Sequence, residues 1–401
     1  MSQRSIKYIS FFDTQDSVIK RNYVTSAANK LEYIAKAIAS TGRQVEIVSM
    51  SQVQEKNFKI YPPEERQISE GVTLKLPFSW GGEKGLLGKI KIIWHLVNLF
   101  FYLLFYCGKK DTVVVYHSLG YFDIIRWAKK ICNFRLVLEV EEIYSDVSRM
   151  SDYWRNLEFK MFDIADAFIL SNDLLDEMIN KQHKPSVVIY GTYQVESKHV
   201  EKFNDGKIHA IYAGTFDPNK GGAQIAISAV EYLPEDYHIH ICGFGGEEVT
   251  NQIKNQIDKM QSKSKAFITF DGLKKGSEFI EFLQKCHIGL STQKPEGEYN
   301  DTSFPSKILT YMANGLSVVS IRIPVLRKAA IVDALSFYDT PDGKSLSEAI
   351  IKASLSDNRE IVKRLDNQFK KQINSIEIGD IYLISDNNHI AMIIYRCRLR
   401  T

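Results

Sequence analysis

The chain has 401 residues, beyond the size at which one hydrophobic core stops growing, so two domains of roughly 150 to 200 residues are expected. Its apolar and charged fractions are those of an ordinary globular protein, which excludes long disordered tracts, and a formal net charge of +3 does not supply the concentrated basic face of a nucleic-acid binder. Five widely spaced cysteines (107, 132, 242, 286 and 397) without a CxxC pair argue against a disulfide framework or a zinc site and read as small core residues in a reducing cytosol. The N-terminus moves straight into a strand pattern without a leader-like apolar stretch, so a cytoplasmic location is expected.

In chain order, a strand at Ile6 to Phe12, a helix from Thr25 to Ser40 and a strand at Val45 to Ser49 make a βαβ beginning. A polar stretch with Pro62 and Pro63 follows. Residues Ile92 to Cys107 are then almost continuously apolar, yet fall short of the roughly 20 residues that cross a bilayer. Lys84, Lys89 and Lys91 precede this segment and Lys109 and Lys110 follow it, a pattern suited to a helix resting on an anionic membrane surface; a buried core helix is the plainer alternative. The strand Thr112 to Tyr116, helix Phe122 to Cys132, strand Arg135 to Glu139, helix Trp154 to Ala165, and strands Ala167 to Leu170 and Val187 to Tyr190 complete a first domain, residues 1–200.

A charged run around Val195 to Lys207 reads as a linker. A second domain, residues 201–375, repeats the rhythm. Its expected strands are Ile208 to Ala213, Tyr237 to Cys242, Ala266 to Phe270, Ile288 to Ser291 and Ser317 to Ser320. Helices are expected at Ala223 to Leu233, Glu247 to Met260, Ser277 to Cys286 and Lys307 to Asn314. The fold class is α/β, with parallel sheets binding ligands at the carboxyl ends of their strands. Residues 376–401 carry apolar runs around Asp386-Asn387-Asn388 and suggest a terminal β-hairpin.

Chemistry concentrates in the second half. One strand ends at Ala213-Gly214, and Lys220-Gly221-Gly222 then opens a helix; glycines admit a phosphate, the helix start offers free N–H groups, and Lys220 adds a full charge. On the opposite side, DTSFPSKILTYMANGLSVVS leads through Ser303, Ser306 and Lys307 into a helix. Gly243 and Gly272 follow two further strands, so four strand-end loops suit a nucleotide diphosphate. In the first half, His117 ends an apolar strand, where it can orient an acceptor hydroxyl or simply satisfy a turn. Glu139, Glu141 and Glu142 lie at the same edge, one of them able to hold acceptor hydroxyls. Arg21 and Asn22 lie in the loop after the first strand.

Over residues 208 to 340 these motifs (YAG, KGG, ICGFG, the FDG turn and FPSKILTYMANGLSVVS) resemble the donor domain of GT-B glycosyltransferases, nearest the retaining family 4. The resemblance implies two Rossmann-like domains facing across a cleft. It implies transfer of a sugar from a nucleotide-diphosphate donor, UDP-linked, to a glycan or lipid-linked acceptor in polysaccharide or glycolipid synthesis. It also implies that the anomeric configuration is retained, without a metal and without a cofactor.

Carried onto this chain, Lys220 contacts the diphosphate and serves catalysis with His117, while Gly214 admits the donor, beside Gly221, Gly243 and Gly272. Ser303, Ser306, Lys307 and Thr310 cap it, and Arg21, His117, Glu139 and Glu142 serve the acceptor. Thr215 stands where many members carry arginine, and Thr302 and Thr310 stand where they carry glutamates. These departures make a nucleotide-sugar-binding protein without catalysis the alternative, with a GT-B-like nucleotide-sugar epimerase beside it.

Overall fold

A computed structural model describes residues 5–82, 85–147, 150–195, 199–296 and 299–355. The chain opens with β1 (Ile6–Ser10), α1 (Thr25–Ser40) and β2 (Val45–Ser49). Next come β3 (Ile60–Tyr61), β4 (Glu64–Ser69), β5 (Val72–Leu76), β6 (Ser79–Trp80) and α2 (Leu86–Tyr106). The first half continues through β7 (Thr112–Tyr116), α3 (Phe122–Cys132), β8 (Arg135–Val140), α4 (Tyr144–Val147) and α5 (Asp152–Ile164). It closes with β9 (Ala167–Leu170), α6 (Asp173–Ile179) and β10 (Ser186–Val188).

The second half contains β11 (Ile208–Thr215), α7 (Gly222–Ser228), β12 (Tyr237–Phe244), α8 (Glu247–Gln261), β13 (Phe267–Gly272), α9 (Gly276–Lys285) and β14 (Ile288–Ser291). It ends in α10 (Tyr299–Thr302), α11 (Lys307–Ala313), β15 (Ser317–Ile321), α12 (Pro324–Arg327), β16 (Leu335–Tyr338) and α13 (Gly343–Ser354).

Two sheets follow. The first has the order β10-β9-β8-β7-β1-β2-β5-β4, parallel except where β4 turns back antiparallel on β5; the second has the order β13-β12-β11-β14-β15-β16 and is wholly parallel. Parallel strands must be covered on both faces, and those of β1, β9 and β14 are buried throughout. Helices supply the cover with apolar stripes at helical spacing. In α1, Ala28, Leu31, Ile34, Ala35 and Ile38 are buried, and in α3, Phe122, Ile125 and Ala128. Asn133 ends α3 at φ 54°, a left-handed position asparagine tolerates.

Two sequence expectations change. The polar stretch around Pro62 and Pro63 holds a hairpin instead, in which Val72, Leu74 and Leu76 alternate inward and Gly71 turns the chain at φ 72°. The apolar helix starts earlier than Ile92, at Leu86, and reaches 21 residues, so it is long enough to cross a membrane by length and composition. It nevertheless lies on the first domain, with Leu99 and Leu103 in that core, and Lys91 donating to the Val53 carbonyl at 2.8 Å. The expected hairpin in residues 376–401 lies outside the described residues.

The domains meet beside the strand ends. Tyr190 leaves the first sheet and enters the second core, its hydroxyl donating to Asp173 at 2.6 Å and accepting the Ala330 N–H at 2.9 Å. Asn172, fully buried, caps α6 by accepting from Leu175 N and donates to the Thr302 carbonyl of the other domain at 2.7 Å. Each such bond contributes about 1 kcal/mol, and an orphaned buried partner costs more.

Candidate donor site between the two sheets

The second sheet presents Gly214 and Thr215 where β11 ends. The following turn is closed by Gly221 N–H donating to Asp217 O at 2.9 Å, and Gly221 begins α7 at φ 63° without a capping side chain. The glycines here are required by space. A Cβ on Gly243 would sit 1.9 Å from the Gly214 carbonyl, and one on Gly222 would sit 2.5 Å from the Thr292 carbonyl. The backbone therefore packs tightly while the first amides of α7 stay open to a ligand. Lys220 is exposed on this turn, and Lys294, which sequence reasoning did not single out, lays its stem against Gly221.

Lys307 enters from the other side as the first residue of α11. Its ammonium lies 4.4 Å from the centre of the Tyr212 ring and 3.0 Å from where a Cβ on Gly214 would stand, so glycine there leaves room for the cation. Burial, with the nearby Lys220 charge, pulls its pKa down to about 8. Among the described residues no carboxylate is placed against it. Tyr311 fixes the helix that carries it, accepting the Ala213 N–H at 2.9 Å, and its ring fills the space that a side chain on Gly289 would occupy. Ser306 is exposed at the start of α11, and Thr310 is half-buried one turn on. Thr302 is buried with an unpartnered hydroxyl, and Gly272, at φ 68°, ends β13.

Across the gap lies Glu142, after β8. Burial raises its pKa, while Lys220 and a hydrogen bond from half-buried Ser303 pull it back, so this first-domain carboxylate faces the lysine loop of the second domain. Its segment is held rigidly. Glu158 accepts the Tyr144 and Ser145 N–H groups at 2.7 and 3.1 Å, and the Tyr144 hydroxyl donates to the His117 carbonyl at 2.7 Å.

Three expectations meet a different placement. His117 follows directly after β7, but its ring is wholly buried, stacked on Tyr144 at 4.5 Å with Nε2 3.1 Å from Glu158, so it positions the Glu142 segment and does not face the cleft. The apolar walls of Phe122 and Phe162 complete that enclosure. Glu139 is also fully buried, accepting from the Tyr8 hydroxyl at 2.5 Å; burial and then the Glu141 charge raise its pKa to about 8. Glu141 is itself paired with Lys30 at 2.5 Å. Arg21, almost fully buried, lies 3.2 Å from Asp13 and pins the loop after β1.

Residues 194–372 match the family described as glycosyl transferases group 1. The match falls on the second half of the chain, and the chain as a whole has the GT-B fold. Among solved structures it is similar to an α,α-trehalose-phosphate synthase (UDP-forming) from Burkholderia xenovorans in complex with glucose-6-phosphate. That match has 10% identity and a TM-score of 0.62, over 94% of this chain and 99% of the other. It is similar to the Anabaena protein HepE in complex with UDP and glucose, at 12% identity and a TM-score of 0.60, over 94% and 99%. A third similar structure is described as trehalose-6-phosphate from E. coli bound with UDP-2-fluoro glucose, at 11% identity and a TM-score of 0.62, over 94% and 98%. At these identities the likeness establishes the fold alone. No curated protein matches the chain.

The lysine geometry sets a stability test. Because the folded state holds Lys307 near pKa 8, below its ordinary value of about 10.4, the unfolded state binds the proton more tightly and the wild type is penalised below pH 8. The ligand-free Lys307→Met variant is expected to melt higher than wild type at pH 7, the gap narrowing as pH rises from 8 towards 10. Thermal denaturation across that range checks this. A variant that melts lower than wild type at pH 7, with no pH trend, contradicts it.

Proposed function

We propose that the chain transfers a sugar from a nucleotide-diphosphate donor to a glycan acceptor. The observation that carries this reading is the placement of Lys307 beside Lys220 and Gly214 with no carboxylate against it among the described residues. Two cations brought together on partly desolvated backbone are unfavourable alone and favourable around a diphosphate. The open amides of α7 add partial positive charge. UDP is the donor nucleotide this reading adopts, since the structures of similar fold include one with UDP and glucose and one with UDP-2-fluoro glucose.

As the bond between sugar and diphosphate breaks, negative charge grows on the leaving oxygens, and Lys220, Lys307 and the start of α7 stabilise it without a divalent cation. The departing oxygen takes the acceptor proton, which keeps the configuration at the anomeric carbon. Glu142, facing the lysine loop from the first domain, accepts a hydrogen bond from the acceptor hydroxyl and orients it.

The acceptor is lipid-linked in this reading, at the inner face of the cell membrane. Along α2, Ile93, Phe101 and Phe105 are exposed, Phe105 by 78%, and only 22% of the helix's apolar stretch is buried. Lys89, Lys109 and Lys110 flank this apolar face with positive charge. Apolar surface with basic flanks suits an anionic bilayer.

Lys220→Met keeps the stem and removes the charge. Turnover and the specificity constant are expected to fall roughly a hundredfold or more, with little change in KM for the donor. Weaker donor binding with unchanged turnover contradicts the leaving-group role. In flotation with anionic vesicles the protein is expected to rise at low salt and partly dissociate at high salt, since charges are screened over about 10 Å at 0.1 M. Phe101→Glu with Phe105→Glu is expected to abolish flotation, and absence of wild-type binding at both salt levels contradicts the membrane contact.

A further inference from the structure

The second sheet also carries a histidine cluster that sugar transfer does not use. β11 and β12 are paired so that His209 stands opposite His238, and His240 is two residues further along β12, so all three rings leave one face of the sheet. His209 and His240 are buried and His238 is half-buried. On β11 the cluster lies five residues before Gly214, about 16 Å from the donor end at strand spacing.

Hydrogen-bond accounting shows what the cluster needs. His209 Nε2 lies 2.9 Å from Asp205 Oδ1, and His240 Nδ1 lies 3.1 Å from Asp271 Oδ2. Both partners are carboxylates, which offer only acceptor oxygens. Each accepts, so each of these outer nitrogens carries the hydrogen. The inner nitrogens, His209 Nδ1 and His240 Nε2, then face each other at 2.9 Å.

In neutral imidazoles both are bare lone pairs, which repel unless a positive centre lies against them. His238 completes the arrangement. Thr269 Oγ1 donates to Asp271 at 2.9 Å and so accepts from His238 Nε2 at 3.1 Å, which leaves His238 Nδ1 bare as well. Each ring brings one nitrogen within 4.8 Å of the other two.

We propose that His209, His238 and His240 bind one first-row transition-metal ion of the zinc class, with Asp205 and Asp271 as outer carboxylates. Neutral imidazoles suit zinc, copper and nickel, and a carboxylate on the far nitrogen fixes the tautomer and raises ligand basicity, as in metal sites generally. The role is structural. Asp205 belongs to the segment entering the second domain, and Phe203 stacks on His209 at 4.3 Å, so the ion clasps this segment to the sheet.

The test uses the full chain, stripped with chelator and titrated with Zn²⁺ by calorimetry and with Co²⁺ by visible absorption. One equivalent is expected to bind, Co²⁺ giving the ligand-field bands of a low-coordinate nitrogen site. Asp271→Asn is expected to weaken binding by about 10–100-fold, and His240→Gln by more. His183→Asn, away from the cluster, is expected to bind as wild type does. Absence of stoichiometric binding in the wild-type chain overturns the proposal, whatever the folding of the variants. Binding undiminished in a folded His240→Gln chain also overturns it. Neither result bears on donor binding.

Discussion

The arrangement at the end of the second sheet depends on one constraint, the packing of a lysine ammonium against backbone that has no side chain to spare. Lys307 reaches Gly214 because position 214 has no Cβ, and β11 lies close to β12 because position 243 has none. Tyr311 then ties α11 to β11 through the Ala213 N–H. A cation held this way, beside Lys220, lowers its own pKa to about 8. Folding alone gains nothing from such a placement. It becomes favourable when a polyanion enters, which is why the charge is better explained by a ligand than by stability.

The first domain supplies the opposing wall. Glu158 gathers the amides at the start of α4, His117 stacks under Tyr144, and the Tyr144 hydroxyl returns to the His117 carbonyl. This closed set of contacts presents Glu142 to Lys220 and Ser303. The contacts of Asn172 with Thr302 and of Tyr190 with Ala330 then fix where one wall stands relative to the other. A two-domain site needs such bonds near its floor, because small displacements there are felt directly in donor and acceptor alignment.

Much of this was legible in the sequence. The helix from Thr25 to Ser40 and the strand from Val45 to Ser49 have the expected bounds, because their apolar periods are unambiguous. The placement of Gly214, Lys220 and Lys307 at the end of β11 and the starts of α7 and α11 was also readable, because glycine and the helix period mark those boundaries. The hairpin of β4 and β5 was missed although Val72, Leu74 and Leu76 alternate, because Pro62 and Pro63 drew the segment towards loop. His117 and Glu139 were placed at the cleft on strand position alone. Which side of a strand end is enclosed depends on distant partners, here Glu158 and Tyr8, and no local pattern reveals them. Lys294 comes to Gly221 from a separate loop, likewise without a local signal.

The most direct measurement of the central claim is calorimetric titration with UDP-glucose in buffers of different ionisation enthalpy. A diphosphate against Lys307 raises its pKa, so binding near pH 8 takes up protons, whereas near pH 6.5 the lysine is already charged and uptake vanishes. The account expects uptake at pH 8 in the wild type, and weaker binding without uptake in Lys307→Met. Binding of equal affinity in both proteins, with no proton uptake at pH 8, contradicts it.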